Sequence, residues 1–352
     1  MANTTAKDIA ERLGISAAAV SMALNGKQGV SEETRERVVS EAVKSGYITP
    51  RASRTGSKAA PIISFVVYVG AGVAAHTSFS TFVLQGVEMA AKSLGYRVIL
   101  HYLYGSQPLE QQIAAIASDT CGVILLGTDI TEHQRRSISA KVYAGIRLPV
   151  VVIDNFLFSP YVDCVGNDNM IGAKTAVSYL IRCGHRRIGY LRSIQRITNF
   201  EDRELGIRLA LEENSEKALQ PLQIIDIDIS SEEAYHNVST WLRQGNHPAS
   251  AYFAENDILA AAAIRAFTTN GYRVPDDVSI IGFDDVPICE MTQPTITTMQ
   301  SFKERLGEIG VQQLHQRIAL GDTIHTTSKT GVVKIALSLS IKKRESVRII
   351  KY

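Results

Sequence analysis

From Pro61 onward, the sequence alternates between short runs of β-branched and other apolar residues and longer amphipathic stretches. The apolar runs are IISFVVYV, YRVILHYL, GVILLG, PVVVID, RIGYL, LQIIDID, ASAYFA and VSIIGF. Stretches of roughly 12 to 18 residues with helical periodicity lie between them, as is typical of crossover helices in a parallel sheet. Because the runs are apolar almost throughout, both faces of the predicted sheets must be covered. The pattern therefore predicts an α/β fold.

The α/β pattern extends over about 300 residues, which is more than a single open sheet normally takes. We therefore predict a core at residues 61–352 that consists of two doubly wound parallel-sheet lobes. Lobe one is expected to comprise about 61–160 plus 293–324, and lobe two about 161–292 plus 325–345. Open α/β sheets bind ligands beyond the carboxyl ends of their strands, so the cleft between the lobes is the expected binding site.

The N-terminal residues predict a separate all-α unit. Thr5 with Asp8 has the spacing of a capping box, Gly14 ends the first helix, and Ser16 and Ser31 begin the next two. The apolar positions expected to face inward are Ile9, Ala10, Leu13, Val20, Ala23, Leu24, Val38, Val39, Ala42 and Val43. Two helices joined by a short turn and followed by a packing helix form a helix-turn-helix, which we place at residues 1–48.

The small excess of positive charge is concentrated at the N-terminus. Residues 1–60 contain nine Lys or Arg and six Asp or Glu, a net charge of +3, whereas the remaining 28 and 29 give −1. A basic N-terminal region indicates a polyanionic partner. Residues 49–60 are predicted to be a hinge or linker, because this stretch combines basic and small polar residues with glycine and proline.

The composition also argues against several protein classes. The cysteines are dispersed in apolar contexts without a C-x-x-C, which favours reduced thiols over disulfides or a zinc site; they are Cys121, Cys164, Cys183 and Cys289. The first residues carry charges where a signal peptide needs an apolar run. We therefore expect a cytoplasmic protein with no membrane partner and no metal or cofactor.

Residues 70–75, GAGVAA, follow a predicted strand and match the G-x-G-x-x-A pattern of dinucleotide-binding loops. That pattern needs an acidic residue at the end of the second strand, and here this strand ends HYLYG. We therefore interpret the segment as a loop at the mouth of the cleft rather than a nucleotide site. The sequence contains no G-x-S-x-G, P-loop or H-E-x-x-H, and we predict that the protein is not an enzyme.

The predicted second helix, within ISAAAVSMALN, is uncharged and presents mostly small residues on its outer face. Small side chains allow a helix to approach the floor of the major groove of DNA closely. Serines on this face can bond phosphates or base edges, and alanines can contact thymine methyls. The alternative is a helical bundle that only docks another protein.

Residues 4–47 resemble the DNA-binding headpiece of the lactose-repressor/galactose-repressor family, on the stretch TAKDIAERLGISAAAVSMALNGKQGVSEETRERVVSEAVKSGY. VDCVGNDNMIGAKTA, LIRCGHRRIGYL, AENDILA and RVPDDVSIIGFDD are similar to the same family's periplasmic-binding-protein-like core. The resemblance implies a bacterial transcriptional regulator, expected to be a repressor. The resemblance also implies a homodimer that binds double-stranded operator DNA and is switched by a small-molecule effector such as a sugar or sugar derivative. A corepressor metabolite or a protein partner is the alternative to a sugar inducer.

The resemblance implies DNA contacts from the three helices and the hinge. These residues are Thr5, Ser16, Ala17, Ala18, Ser21, Met22, Asn25, Ser31, Thr34, Arg51 and Arg54. Many family members have arginine where this chain has Met22, and methionine can neither fork onto guanine nor pair with phosphate. In the hinge, Gly56 replaces the leucine that wedges into the minor groove, so the sequence argues against kinking of the DNA.

For the effector, the resemblance implies contacts from residues near the predicted strand ends. They are Phe79, Asp154, Arg203, Asn256, Asp284, Gln300 and Phe302. Carboxylates, amides and a guanidinium can make paired hydrogen bonds to vicinal hydroxyls. Phe79 or Phe302 is expected to cover the C–H face of a sugar ring.

Overall fold

The computed structural model describes residues 5–24, 29–44, 60–157, 159, 161–215, 218–326 and 330–350. The chain divides into two compact units, Met1–Ala60 and Pro61–Tyr352. Three predicted DNA-contacting residues, Asn25, Arg51 and Arg54, lie outside the described residues, as does Gly56 of the predicted hinge.

The N-terminal unit contains the three helices that the sequence predicts, α1 (Ala6–Leu13), α2 (Ala17–Leu24) and α3 (Glu32–Lys44). At the start of α1, the Thr5 hydroxyl accepts the Asp8 N–H at 3.3 Å, and the Asp8 carboxylate accepts the Thr5 N–H at 2.7 Å. This capping box satisfies amides that have no partner within the helix. The buried core of the unit consists of Ile9, Ala10, Val20, Ala23, Val38 and Ala42.

The second unit is built from two six-stranded sheets. Its strands are β1 (Ile62–Val69), β2 (Arg97–Tyr104), β3 (Val123–Leu126), β4 (Val150–Ile153), β5 (Asp163–Asn167), β6 (Ile188–Ser193), β7 (Gln223–Ile227), β8 (Ala251–Ala254), β9 (Ser279–Asp284), β10 (Thr297–Gln300), β11 (Lys334–Leu337) and β12 (Ser340–Lys342). Lobe one contains the sheet β11-β5-β4-β3-β1-β2, and lobe two the sheet β12-β10-β9-β8-β6-β7. All pairings are parallel except that of β10 with β12.

Helices cover both faces of each sheet. They are α4 (Phe79–Ser93), α5 (Leu109–Ala117), α6 (Gln134–Gly145), α7 (Asn169–Arg182), α8 (Thr198–Glu213), α9 (Ser231–Arg243), α10 (Asp257–Thr269), α11 (Ile288–Met291) and α12 (Lys303–Ala319), with a 3-10 turn at Val73–His76. The central strands β3, β4, β8 and β9 are buried along their whole length. The two doubly wound lobes are therefore confirmed. Within the described residues, no helix has both the length and the apolar character to span a membrane.

The strands near the lobe boundaries are assigned differently from the prediction. β5 was expected in lobe two but pairs with β4 in lobe one. β10 was expected in lobe one but pairs with β9 in lobe two, and β11 pairs with β5 in lobe one. An apolar run predicts that a strand forms, but the sheet that the strand joins depends on where the chain crosses from one lobe to the other. Here the chain crosses after β5 and after β10, whereas the prediction placed these crossings before them.

Helices α4 and α12 of lobe one approach each other closely at two glycines. A methyl group at Gly86 would collide with the backbone of Glu304, and one at Gly307 would collide with the backbone carbonyl of Val83. Backbone atoms cannot move aside as a flexible side chain can. The contact therefore depends on the absence of a side chain at Gly86 and Gly307.

We predict that Gly86→Ala lowers the free energy of unfolding by about 1–3 kcal/mol, because the added methyl forces the two helices apart. The matched control is Gln85→Ala, at an exposed position of the same helix, with an expected change within about 0.5 kcal/mol. Urea denaturation of the full-length protein measures both. Equal stability of Gly86→Ala and wild type would show that the helices tolerate the extra volume.

Candidate functional site

Helix α2 presents a face of small residues opposite its buried side. Ser16, Ala17, Ala18 and Ser21 are exposed, and Met22 is half-buried. The Ser16 hydroxyl accepts the backbone N–H of Ala19 at 3.1 Å, which caps the helix. The described part of the predicted outer face is therefore exposed and consists mainly of small side chains, which permit close approach of the backbone.

The other predicted DNA contacts that the structure describes lie at helix N-termini. Thr5 is the N-cap of α1. Before α3, the Ser31 hydroxyl accepts the Thr34 N–H at 3.2 Å, and the two hydroxyls lie 2.8 Å apart. The first turn of a helix attracts anions through its backbone N–H groups and its dipole. These positions therefore suit phosphate contacts, with the hydroxyls already serving as caps.

Five of the seven predicted effector residues line one cavity between the lobes. They are Phe79, Asp154, Arg203, Asn256 and Asp284. Asp154 follows β4 and Asp284 ends β9, so the cavity lies at the carboxyl ends of both sheets. Its volume is about 20 Å³, which is room for a single water molecule. The lobes are closed over the site.

Gln300 and Phe302 do not reach this cavity. They line a separate opening of about 630 Å³ with Phe82, and the Phe302 side chain is 43% exposed. After β10 the chain turns into α12, and the buried Lys303 ammonium donates to the Asp284 carbonyl at 2.6 Å. Lys303 therefore occupies the inner side of this turn, and the Phe302 side chain lies outside the lining of the cavity.

Six further residues line the cavity that the resemblance did not supply. They are Val73, Thr77, Thr128, Ile197, Asn199 and Phe200. Asn199 precedes Arg203 by four residues on α8, so helical periodicity alone places both side chains on one face. Thr128 comes two residues after the end of β3. A polar residue at this position is typical of the ligand-binding edge of a parallel sheet, which lies at the carboxyl ends of the strands.

Asp154 is the most perturbed carboxyl group in the cavity. Its Oδ2 accepts the Thr128 hydroxyl at 2.8 Å and the Asn199 amide at 3.1 Å, whereas its Oδ1 has no hydrogen-bond partner. Burial, aided by the nearby charge of Asp284, raises the pKa of Asp154 to about 7 against the lowering effect of the Thr128 hydrogen bond. The unpartnered oxygen is an acceptor available to a ligand hydroxyl.

Arg203 is buried and makes hydrogen bonds through each of its nitrogens. Nε donates to the Asn169 side chain at 2.9 Å, Nη2 to Asp284 at 3.2 Å, and Nη1 to the Glu255 carbonyl. The guanidinium also lies over the Phe283 ring, 3.7 Å from its centroid. Arg203 is therefore held in one orientation beside the cavity.

The GAGVAA loop is held by an internal carboxylate. Asp129 accepts the backbone N–H groups of Gly70 at 3.2 Å, Gly72 at 3.0 Å and Ala74 at 2.8 Å. Gly72 has a φ of +83°, which favours glycine, and a Cβ at Gly70 would meet the Tyr68 ring. The conformation of the loop thus explains why glycine occupies positions 70 and 72. The three loop amides that could bind a pyrophosphate already donate to Asp129.

We predict that Asp154→Asn flattens the pH dependence of stability. The folded-state pKa of Asp154 is about 7, against an ordinary value of 3.8. The contribution of Asp154 to the free energy of unfolding is therefore full below pH 3.8 and is lost as the pH rises through 7. The part of this loss due to Asp154 is on the order of 1 kcal/mol per pH unit within this window. Burial also raises the pKa of Glu255 and of Asp257 to about 7, so the variant should retain a shallower dependence. Urea denaturation at several pH values measures it. The exposed Asp119→Asn is the control, and parallel curves for Asp154→Asn and wild type would contradict the assignment.

Comparison with known proteins identifies both units. Residues 5–50 match the family of bacterial regulatory proteins, lacI family, and residues 177–347 match the periplasmic binding protein-like domain. The chain is 28% identical over 341 residues to the HTH-type transcriptional repressor PurR of Mannheimia succiniciproducens, covering 96% of this chain and 98% of that protein. It is 29% identical over 315 residues to the ribose operon repressor of Haemophilus influenzae, covering 89% of this chain and 92% of that protein.

Among solved structures, the fold is similar to that of the Lac repressor dimer bound to operator and the anti-inducer ONPF. The TM-score is 0.71 at 22% sequence identity, and the match covers 99% of this chain and 100% of that chain. The matched headpiece, the matched core and the full-length relatives agree with one another. The protein carries a DNA-binding domain of the lacI family of bacterial regulatory proteins, followed by a periplasmic binding protein-like domain, and is a DNA-binding transcriptional regulator.

Proposed function

We propose that this protein is a cytoplasmic repressor that binds a roughly palindromic operator as a homodimer and is switched by a sugar-type effector. The effector binds in the cavity between the lobes and acts as an inducer. The observation that carries the ligand class is the buried Asp154 Oδ1, which has no hydrogen-bond partner in a site otherwise well supplied with them.

The cavity lining suits a polyhydroxylated ring. Asp154 and Asp284 can accept hydroxyl protons, and Asn199 and Asn256 can both donate and accept. Phe79 supplies an aromatic surface for the apolar C–H face of such a ring. The similarity to a ribose operon repressor supports a sugar as the effector. The similarity to PurR supports a different metabolite as the alternative.

Hydrogen bonds across the closed cleft provide a means of switching. The Thr198 hydroxyl of α8 donates to the Ile130 carbonyl of lobe one at 2.9 Å, and the Asn199 amide donates to Asp154. A ligand that binds Asp154 competes with or reinforces these bonds. It thereby has different affinities for the open and closed lobes, which is the condition for an effector to shift their populations.

An exposed apolar edge supports the homodimer. β2 is the outer strand of its sheet, and Ile99, Leu100, Tyr102 and Tyr104 on it are exposed. An apolar, unpaired edge strand of this length favours association with another protein surface. The similar Lac repressor structure is that of a dimer, and two-fold symmetry of this kind matches two half-sites on DNA.

The proposal is tested by thermal unfolding of the full-length protein against monosaccharides, disaccharides, sugar phosphates, purine bases and NAD. A ligand at 100 times its dissociation constant stabilises the native state by about 2.7 kcal/mol. A sugar response supports the proposal, and gel-shift assays with a selected operator then give the direction of switching. A response to a purine base alone would replace the sugar inducer by a corepressor metabolite, and no small-molecule response would favour a protein partner.

We predict that Arg203→Ala abolishes the effector response and leaves operator binding unchanged, because Arg203 borders the effector cavity in the core and not the headpiece. Removing it leaves Asp284 without its ion pair, so circular dichroism must first confirm folding. The matched control is Arg208→Ala, an exposed arginine on the same helix, which keeps both activities. Equal loss of operator binding and effector response in Arg203→Ala would mean that Arg203 is purely structural.

We predict that Ala18→Glu weakens operator binding by about a hundredfold or more, because it brings a negative charge and added bulk to the face of α2 that approaches DNA. Ala18→Ser, which keeps the small size, should bind within about threefold of wild type. Fluorescence anisotropy with labelled operator measures both variants. Unchanged affinity of Ala18→Glu would show that another surface contacts the DNA.

A further inference from the structure

The loop at residues 70–76 extends from lobe one into lobe two. It begins after β1, yet Val73 is only 3% exposed and belongs to the hydrophobic core of lobe two, with Ile197 and Phe200. Ala71 packs against the same core. Val73 also lines the effector cavity. One side chain of lobe one thus fills space at the junction of the cavity and the core of lobe two.

Asp129 fixes the position from which Val73 extends. Both of its carboxylate oxygens accept loop amides, two on Oδ2 and one on Oδ1, and the side chain is buried at 1% exposure. Hydrogen bonds to a buried carboxylate are stronger than those between neutral groups. The loop is therefore anchored to the turn after β3, and Val73 cannot withdraw from the cavity unless these bonds break.

The space beside Val73 is small compared with any sugar. The cavity measures about 20 Å³, whereas sites for small molecules usually measure about 300 Å³ or more. Some opening of the lobes must accompany binding. The ring that remains in contact with Asp154 on closure must then fit next to Val73, Ile197 and Phe200.

The charge of the cavity limits the ligand as well. Among the described residues that line it, Arg203 is the only cation, and its nitrogens already bond Asn169, Glu255 and Asp284. Two buried carboxylates, Asp154 and Asp284, face the same space. A phosphate would meet these carboxylates without a free cation, which is costly in a buried site.

We propose that Val73, held in place by Asp129, sets the upper size limit of the effector, so that the cleft takes one uncharged sugar ring and excludes disaccharides. This inference rests on the proposed function. Val73 is the specificity-determining residue, and Asp129 is a positioning residue that acts through the loop.

The experiment compares wild type with Val73→Ala by isothermal titration, using monosaccharides, their methyl and phenyl glycosides, and disaccharides. Wild type should bind a monosaccharide and reject the larger compounds. Val73→Ala should gain at least about tenfold affinity for a glycoside or disaccharide, with a smaller change for the monosaccharide. Val87→Ala, a buried valine in the core of lobe one, is the matched control and should keep the wild-type size limit.

Asp129→Ala should broaden the ligand range as Val73→Ala does, and Asp129→Asn should be intermediate because it keeps one acceptor oxygen. Hydrogen exchange of the Gly70, Gly72 and Ala74 amides gives a readout without ligand. It should accelerate in Asp129→Ala and remain unchanged in the control Asp119→Asn. Unchanged exchange in Asp129→Ala would overturn the role of Asp129 as the anchor.

The outcomes separate this inference from the proposed function. If no sugar of any size binds wild type or variants, the proposed function fails, and the size limit fails with it. If wild type binds a disaccharide as well as a monosaccharide, only the size limit is overturned. The same holds if Val73→Ala binds monosaccharides but still rejects every larger compound.

Discussion

The buried guanidinium of Arg203 is the interaction on which the site depends. It joins α8 to the ends of β8 and β9 and to α7, through Glu255, Asp284 and Asn169. Without it, the charge of Asp284 would be buried unpaired, at a cost of several kcal/mol. The lobe-two half of the cavity is thus rigid before a ligand arrives, and a rigid half-site loses little entropy on binding.

The lobe-one half is organised by the turn at residues 128–130. Thr128 bonds Asp154, Asp129 holds the loop at residues 70–74, and the Ile130 carbonyl accepts Thr198 from lobe two. Three consecutive residues thus connect the Asp154 carboxylate, the loop at residues 70–74 and the opposite lobe. A change at any one of these contacts reaches the others through a few covalent bonds, which is the kind of short physical connection that coupling between sites requires.

Sequence patterns predicted the strands of the two sheets, because an apolar run indicates that both faces of a strand are buried. This property can be read from each strand separately. They misassigned β5, β10 and β11 because the sheet that an edge strand joins depends on the path of the chain. The family resemblance located Asp154 and Asp284, whose positions at strand ends follow from the fold. It also named Phe302, whose side chain lines a separate opening because its direction depends on how α12 begins. Asp129 could not be found, because its role exists only where two distant loops meet.

The chain passes between the lobes three times, after β5, after β10 and between β11 and β12. Neither lobe is therefore a continuous piece of sequence, and no single cut releases one of them intact. Each lobe acquires its last strand only from the residues that follow α12, so a growing chain completes the two sheets within a few residues of each other. Because β5 pairs with β11 and β10 pairs with β12, the three connections lie side by side, an arrangement that suits hinge bending of one lobe against the other.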